Sequence, residues 1–181
     1  MTPVKGFLAK IGEAVKQLAH FFETWGSEAL EENPSPTSAS NESCLVQIAN
    51  FNGRTALLTA DAGPDALHRA ADAAYAIGML APPTFVQVPH HGSRRNVTPS
   101  VLDRWLGTVL PEGSTPRGTA FCSVGANKPD YPRRRVSNAY LRRGYPVFKT
   151  GDSWICHYSE MDGRSGMQPI TPLPFYSNYS E

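Results

Sequence analysis

Apolar residues near the start of the chain recur at steps of three and four: Phe7, Leu8, Ile11, Val15, Leu18, Ala19 and Phe22. Such spacing lines one side of a helix with apolar side chains. It predicts an amphipathic helix in residues 1–30, spanning 4–30. The pattern then stops. Residues 31–43 carry Asn-Pro-Ser-Pro and Thr-Ser-Ala-Ser-Asn, which reads as a linker.

From residue 44 to residue 158, short apolar runs alternate with helical patterns. Residues 44–50 and 55–60 predict two strands joined through Asn52-Gly53, a pair that accepts the positive φ of a tight hairpin turn. Pro64 opens a helix that Gly78 closes. Residues 84–88 form the next strand. Thr98 then serves as N-cap, with Pro99 in the first turn of a helix running to about Leu106. A strand over 119–124 precedes a helix over 132–143 that ends at Gly144. Residues 145–150 and 154–158 predict a closing hairpin around Gly151 and Asp152. The tail, 159–181, is rich in Pro, Ser and Gly and is expected to be disordered. The alternation implies an α/β domain whose sheet is covered by helices on at least one face.

Composition adds limits. A chain of 181 residues can bury a real core within one domain. A formal charge of +1 gives no overall pull toward nucleic acid or a membrane. The arginines are nonetheless clustered, at Arg94-Arg95, Arg133-Arg134-Arg135 and Arg142-Arg143. Cys44, Cys122 and Cys156 are odd in number and lack metal-type spacing, so all three are expected as reduced core thiols. No apolar run approaches the ~20 residues of a membrane span. No secretory h-region opens the chain. The expectation is a cytoplasmic protein that does not engage a membrane.

Two predicted strands end on metal-ligating residue types. Residues 57–63 read L-L-T-A-D-A-G and deliver Asp61; residues 84–95 read T-F-V-Q-V-P-H-H-G-S-R-R and deliver His90 and His91. In α/β sheets, ligands gather at the carboxyl ends of the strands. The loop 125–132, with Asn127, leaves the next strand at the same edge. Imidazole and carboxylate together suit zinc, manganese or iron. Successive residues of a regular strand point to opposite faces. His90 and His91 therefore share a site only if the chain turns, which Pro89 and Gly92 permit. Asp61 could instead cap the helix at Pro64. Arg94 and Arg95, beside Ser93, could hold an anion, because guanidinium forks match phosphate oxygens. Arg133 to Arg135 open a helix, where positive charge opposes the dipole, and this favours an anion-binding role. His20, His68 and His157 are assigned structural or solvent roles.

L-L-T-A-D-A-G, then V-P-H-H-G-S-R-R-N-V, then S-V-G-A and a Pro-started helix, together resemble the second half of a metallo-β-lactamase-fold hydrolase. The resemblance is to the branch that includes the hydrolase domain of bacterial DNA-uptake (competence) proteins. Ser-Asn-Glu-Ser at 40–43 also resembles that branch, and the likeness covers about 38–158. It implies one lobe of an αββα sandwich, a mixed sheet with flanking helices. It implies that Asp61, His90 and His91 bind a divalent metal, zinc or manganese, and serve catalysis, with Asp61 bridging two ions. Metal-assisted hydrolysis of a phosphodiester in nucleic acid is the implied chemistry. Ser93, Arg94, Arg95 and Asn127 then lie on the substrate side.

Two features depart from that pattern. The family's H-x-H-x-D-H motif does not occur in the chain, and the place of a late histidine reads Lys128-Pro129-Asp130-Tyr131-Pro132, leaving Asp130 as an oxygen donor. The implied partner is a complementary half-domain or a second copy, covering the sheet face that a lone lobe exposes. The alternative is a catalytically inactive module that docks a phosphate backbone or an acidic protein.

Overall fold

A computed structural model describes residues 20–151, 154–158, 163 and 165–181. The chain forms an α/β fold built on a five-stranded mixed sheet flanked by helices. Strand β1 is His20–Phe22, and helix α1 is Ala39–Glu42. Strands β2 (Gln47–Phe51) and β3 (Arg54–Leu58) form an antiparallel hairpin. Its turn places Asn52 at φ 52° and Gly53 at φ 86°, and the Gly53 N–H donates to Asn50 Oδ1 at 2.8 Å. Helix α2 (Pro64–Ala76) leads to β4 (Phe85–Gln87), and α3 (Pro99–Leu106) leads to β5 (Thr119–Cys122). Helix α4 (Arg134–Arg142) leads to β6 (Val147–Lys149), and β7 is Asn178–Ser180. The sheet order is β2-β3-β4-β5-β6, and β3 to β6 run parallel.

Register explains the core. Leu57, Val86, Ala120 and Val147 stand side by side across four strands, all buried. Leu67 and Ala71 of α2, Trp105 of α3 and Tyr140 of α4 belong to the same cluster. Thr98 caps α3 as expected, accepting the Val101 N–H at 3.2 Å. The other face carries Phe85, Phe121 and Phe148, with ring centroids 5.1 and 5.9 Å apart. These rings are half-buried, and Leu58 on the same face is 41% exposed. No helix among the described residues is long and apolar enough to cross a membrane.

Several local expectations change. Residues 1–19 of the expected N-terminal helix lie outside the described residues, and His20–Phe22 is a strand paired antiparallel with β7. Phe21 stacks on Tyr179 there, and Glu23 is drawn into a buried ion pair. The tail is therefore built into the fold at 178–180, while residues 159–162 and 164 lie outside the described residues. The linker contains α1, whose Ser38 cap accepts the Asn41 N–H.

The closing hairpin does not form over 154–158. The Leu173 N–H instead donates to Val147 O, and His157 packs its ring 5.0 Å from Phe85. Of the three thiols, Cys122 is buried, Cys44 packs half-buried on the core, and Cys156 is exposed and not a core residue.

Candidate functional site

The carboxyl edge of the sheet is tied together by polar contacts. Gln87 Oε1 accepts the N–H groups of Thr59 and Ala60, each at 3.1 Å, and Thr59 Oγ1 donates to Gln87 O. Ala60 turns the chain at φ 47°, and its carbonyl accepts the His90 N–H. Asn96, 1% exposed, donates its amide to Asp61 O and Ala62 O. Asn96 thus pins the loop bearing Asp61 to the loop bearing the histidines. Sequence reading did not single it out, since only its proximity to H-H-G-S hinted at a role.

His90 (φ 46°) and His91 (φ 58°) both occupy the left-handed region within a short 3-10 turn, Pro89–Gly92. Backbone strain of this kind, on the order of 1–3 kcal/mol per residue, persists where neighbours enforce it. The turn brings the two rings 5.8 Å apart on one side of the edge. His91 Nδ1 lies 2.6 Å from the carbonyl oxygen of Ser123. A carbonyl only accepts, so Nδ1 is the nitrogen that donates there. His90 Nδ1 is buried and has no hydrogen-bond partner among the described residues. Gly92 permits the next step, because a Cβ there would meet Pro132, and its carbonyl accepts the Arg133 N–H at 3.0 Å.

A cavity of about 420 Å³ opens beside His90, lined by Ser93, Arg94, Arg95 and Arg133 with Ser38, Asn41 and Tyr131. Among the described residues, no Asp or Glu lines it. A second cavity, about 400 Å³, lies across His90 and Tyr131 and is lined by His91, Val124, Asn127 and Lys128. Asn127 therefore sits apart from the arginines. Asp61 is exposed and lines neither cavity, and it does not cap α2. The cap residue there is Gly63, and the Glu42 carboxylate accepts the Ala66 N–H at 2.7 Å.

The arginine clusters divide into two kinds. Arg135, Arg142 and Arg143 are 2%, 0% and 1% exposed. Arg135 pairs with Glu31 and Glu181, Arg142 with Glu23, and Arg143 with Glu28 and Asp103. Buried guanidinium groups need such partners. These three are internal braces, so the anion-docking expectation does not apply to them. Their carboxylates lie up to 119 residues away in sequence, where no local pattern announces them. Arg94 and Arg95 make no side-chain hydrogen bond or ion pair among the described residues. Arg133 has its guanidinium 4.8 Å over the Tyr131 ring and no salt bridge among the described residues. Three guanidinium groups thus line one cavity without an ion pair among the described residues, while Arg95 also lines a neighbouring cavity with Glu32, Glu42 and Asp65, and Arg133 one with Asp130 and Glu181.

A catalytic zinc site typically takes three protein ligands. Among the described residues, no group of three or more His, Cys, Asp or Glu side chains stands close enough together to hold a metal ion. Asp61, His90 and His91 share an edge but do not form a ligand set on their own. The donor types suit a divalent metal, and the arrangement does not complete a site. No protein-family model, no curated protein and no solved structure matches this chain.

Proposed function

We propose that this chain is one lobe of a metal-dependent hydrolase of the metallo-β-lactamase fold, and that it holds the phosphate of a phosphate-ester substrate. The cavity lined by Arg94, Arg95 and Arg133, with no acidic residue among the described residues that line it, is the observation that carries this reading. Guanidinium groups bind phosphate oxygens through charge-assisted, often bidentate hydrogen bonds. Ser93 and Asn41 add uncharged polar groups to the same wall. In this reading Asp61, His90 and His91 supply a weak metal site of their own, which further donors complete. A complementary lobe is the expected source, and the half-covered face of Phe85, Phe121 and Phe148 gives it a surface to pack against.

Titration with Zn²⁺ by calorimetry tests the hydrolase reading. Metal binding weakened by both Asp61→Ala and His90→Ala/His91→Ala is the expected result. A second reading, an anion-binding module without catalysis, is favoured by the lack of a three-ligand group among the described residues. Phosphate binding with no metal response in any variant selects that second reading.

A further inference from the structure

The five-stranded sheet has two edges, and the chain treats them differently. Along β6, the Leu173 N–H donates to Val147 O at 2.8 Å, so that edge is partly covered from within. Strand β2 forms the other edge and pairs only with β3 among the described residues. Residues facing each other in an antiparallel ladder alternate between bonded and non-bonded pairs. Phe51 and Arg54 flank the turn as a bonded pair. Asn50 then faces Thr55 in a non-bonded pair, and the Thr55 carbonyl turns the other way to accept the Thr84 N–H at 2.9 Å. The main-chain groups of Asn50 and Ile48 therefore point away from β3, and Val46 continues the same alternation. No described residue bonds to the main chain of any of the three. Side chains alternate as well. Cys44, Val46 and Ile48 pack on the core. Leu45 and Phe51, on the opposite side, are 71% and 66% exposed. Edge strands are ordinarily shielded by Lys, Pro or a bulge. Residues 44–53 carry no charge and no proline, and the register of β2 on β3 runs without a bulge.

We infer that β2 is the docking edge for a second copy of this chain, paired antiparallel about a two-fold axis at Ile48. In that register Ile48 exchanges main-chain bonds with Ile48 of the second copy, and Asn50 with its Val46. Phe51 of each copy faces Leu45 of the other in a non-bonded pair, where side chains stand closest. The two most exposed apolar side chains of the segment thus cover each other, once on each side of the axis. A second copy suits this edge better than an unrelated strand because the segment is complementary to itself. Its outward groups match in direction, its exposed apolar residues meet, and no like charges oppose. Two-fold pairs of this kind are the commonest homo-oligomers. The two sheets then join into one. Ala49 is in register with Ala56, and Ala56 with Phe85, so the half-covered face of Phe85, Phe121 and Phe148 continues across the junction. This pairing stands apart from the phosphate-holding reading above.

Sedimentation velocity of the full chain across a micromolar dilution series tests this, with circular dichroism reporting the fold of each variant. Wild type is expected to show a monomer–dimer equilibrium. Leu45→Lys/Phe51→Lys and Leu45→Glu/Phe51→Glu each set like charges opposite one another in the register, so each should weaken the dimer by about tenfold or more. Mixing the two double variants places Lys opposite Glu on both sides of the axis, and association should return. A wild type that stays monomeric throughout overturns the pairing. So does association that both double variants leave unchanged, and a mixture that stays monomeric overturns the register. If a double variant fails to fold, Phe51→Lys mixed with Leu45→Glu decides instead: the mixture must associate more tightly than either alone, and equal or weaker association overturns the register.

Discussion

Gly92 and Pro132 meet so closely that a side chain at position 92 would overlap the proline, its Cβ falling 2.8 Å from Pro132 Cα. The Arg133 N–H donates to the Gly92 carbonyl at the same place. This contact joins the histidine turn to the start of α4 and sets Arg133 beside Arg94 and Arg95. Gly92 also sits at φ 79°, where an L side chain is strained. Gly92→Ala is therefore expected to cost about 1–3 kcal/mol and to weaken anion binding. Urea denaturation checks it, and an unchanged midpoint contradicts the packing described.

Braces and cavity arginines should behave oppositely. Glu23→Ala leaves Arg142 buried without its carboxylate, and breaking a buried pair costs about 3–5 kcal/mol. Arg94→Ala and Arg95→Ala remove side chains with no hydrogen bond or ion pair among the described residues, so stability should hold within about 0.5 kcal/mol. Denaturation midpoints of the three variants separate the two classes. A strong loss of stability in Arg94→Ala would mean that this guanidinium is a brace as well.

The thiols should differ in reactivity. Burial, opposed in part by Lys149, pushes the Cys122 thiol up to about 12 from 9.0. The thiolate is the reactive form. Iodoacetamide at neutral pH should label exposed Cys156 first and reach Cys122 only after unfolding. The linkage follows in sign. The folded state holds this proton more tightly, so its contribution is full below pH 9 and is lost as pH rises toward 12. Stability of a Cys122→Ala variant should therefore fall less steeply across that range. Early labelling of Cys122 contradicts the burial.

His91 should be a single tautomer. Its Nδ1–H is committed to Ser123 O, and the residue lines the cavity that also contains Asn127 and Lys128. Long-range proton–nitrogen NMR of neutral protein is expected to show protonated Nδ1. A dominant Nε2–H form would mean that the hydrogen bond is absent in solution.

Local signals made much of the fold legible. Asn52-Gly53 placed the hairpin, and Pro64 and Thr98-Pro99 placed the starts of α2 and α3. Parallel strands buried on one face showed as apolar runs between helical patterns. The shared edge of Asp61, His90 and His91 was legible because each follows a strand of the sheet within four residues. What escaped was long-range. Phe22 extends an apolar stripe that suits a helix, yet the pairing of β1 with β7 joins the two ends of the described chain. Glu23, Glu28, Glu31 and Glu181 look like surface acids until α4 is set against them. The arginines consequently read as one kind when they are two. Glu42 as the cap of α2 was hidden because it comes from another segment, packed onto the Cβ-free face of Gly63.

The most direct test is titration of pyrophosphate into wild-type protein and into Arg94→Ala/Arg95→Ala/Arg133→Ala, followed by calorimetry at two salt concentrations. The account predicts saturable binding to wild type that weakens as salt screens the charges. It predicts a loss of about tenfold or more in the triple variant, whose fold stays intact. Binding of equal strength in both proteins, or none in either, contradicts it.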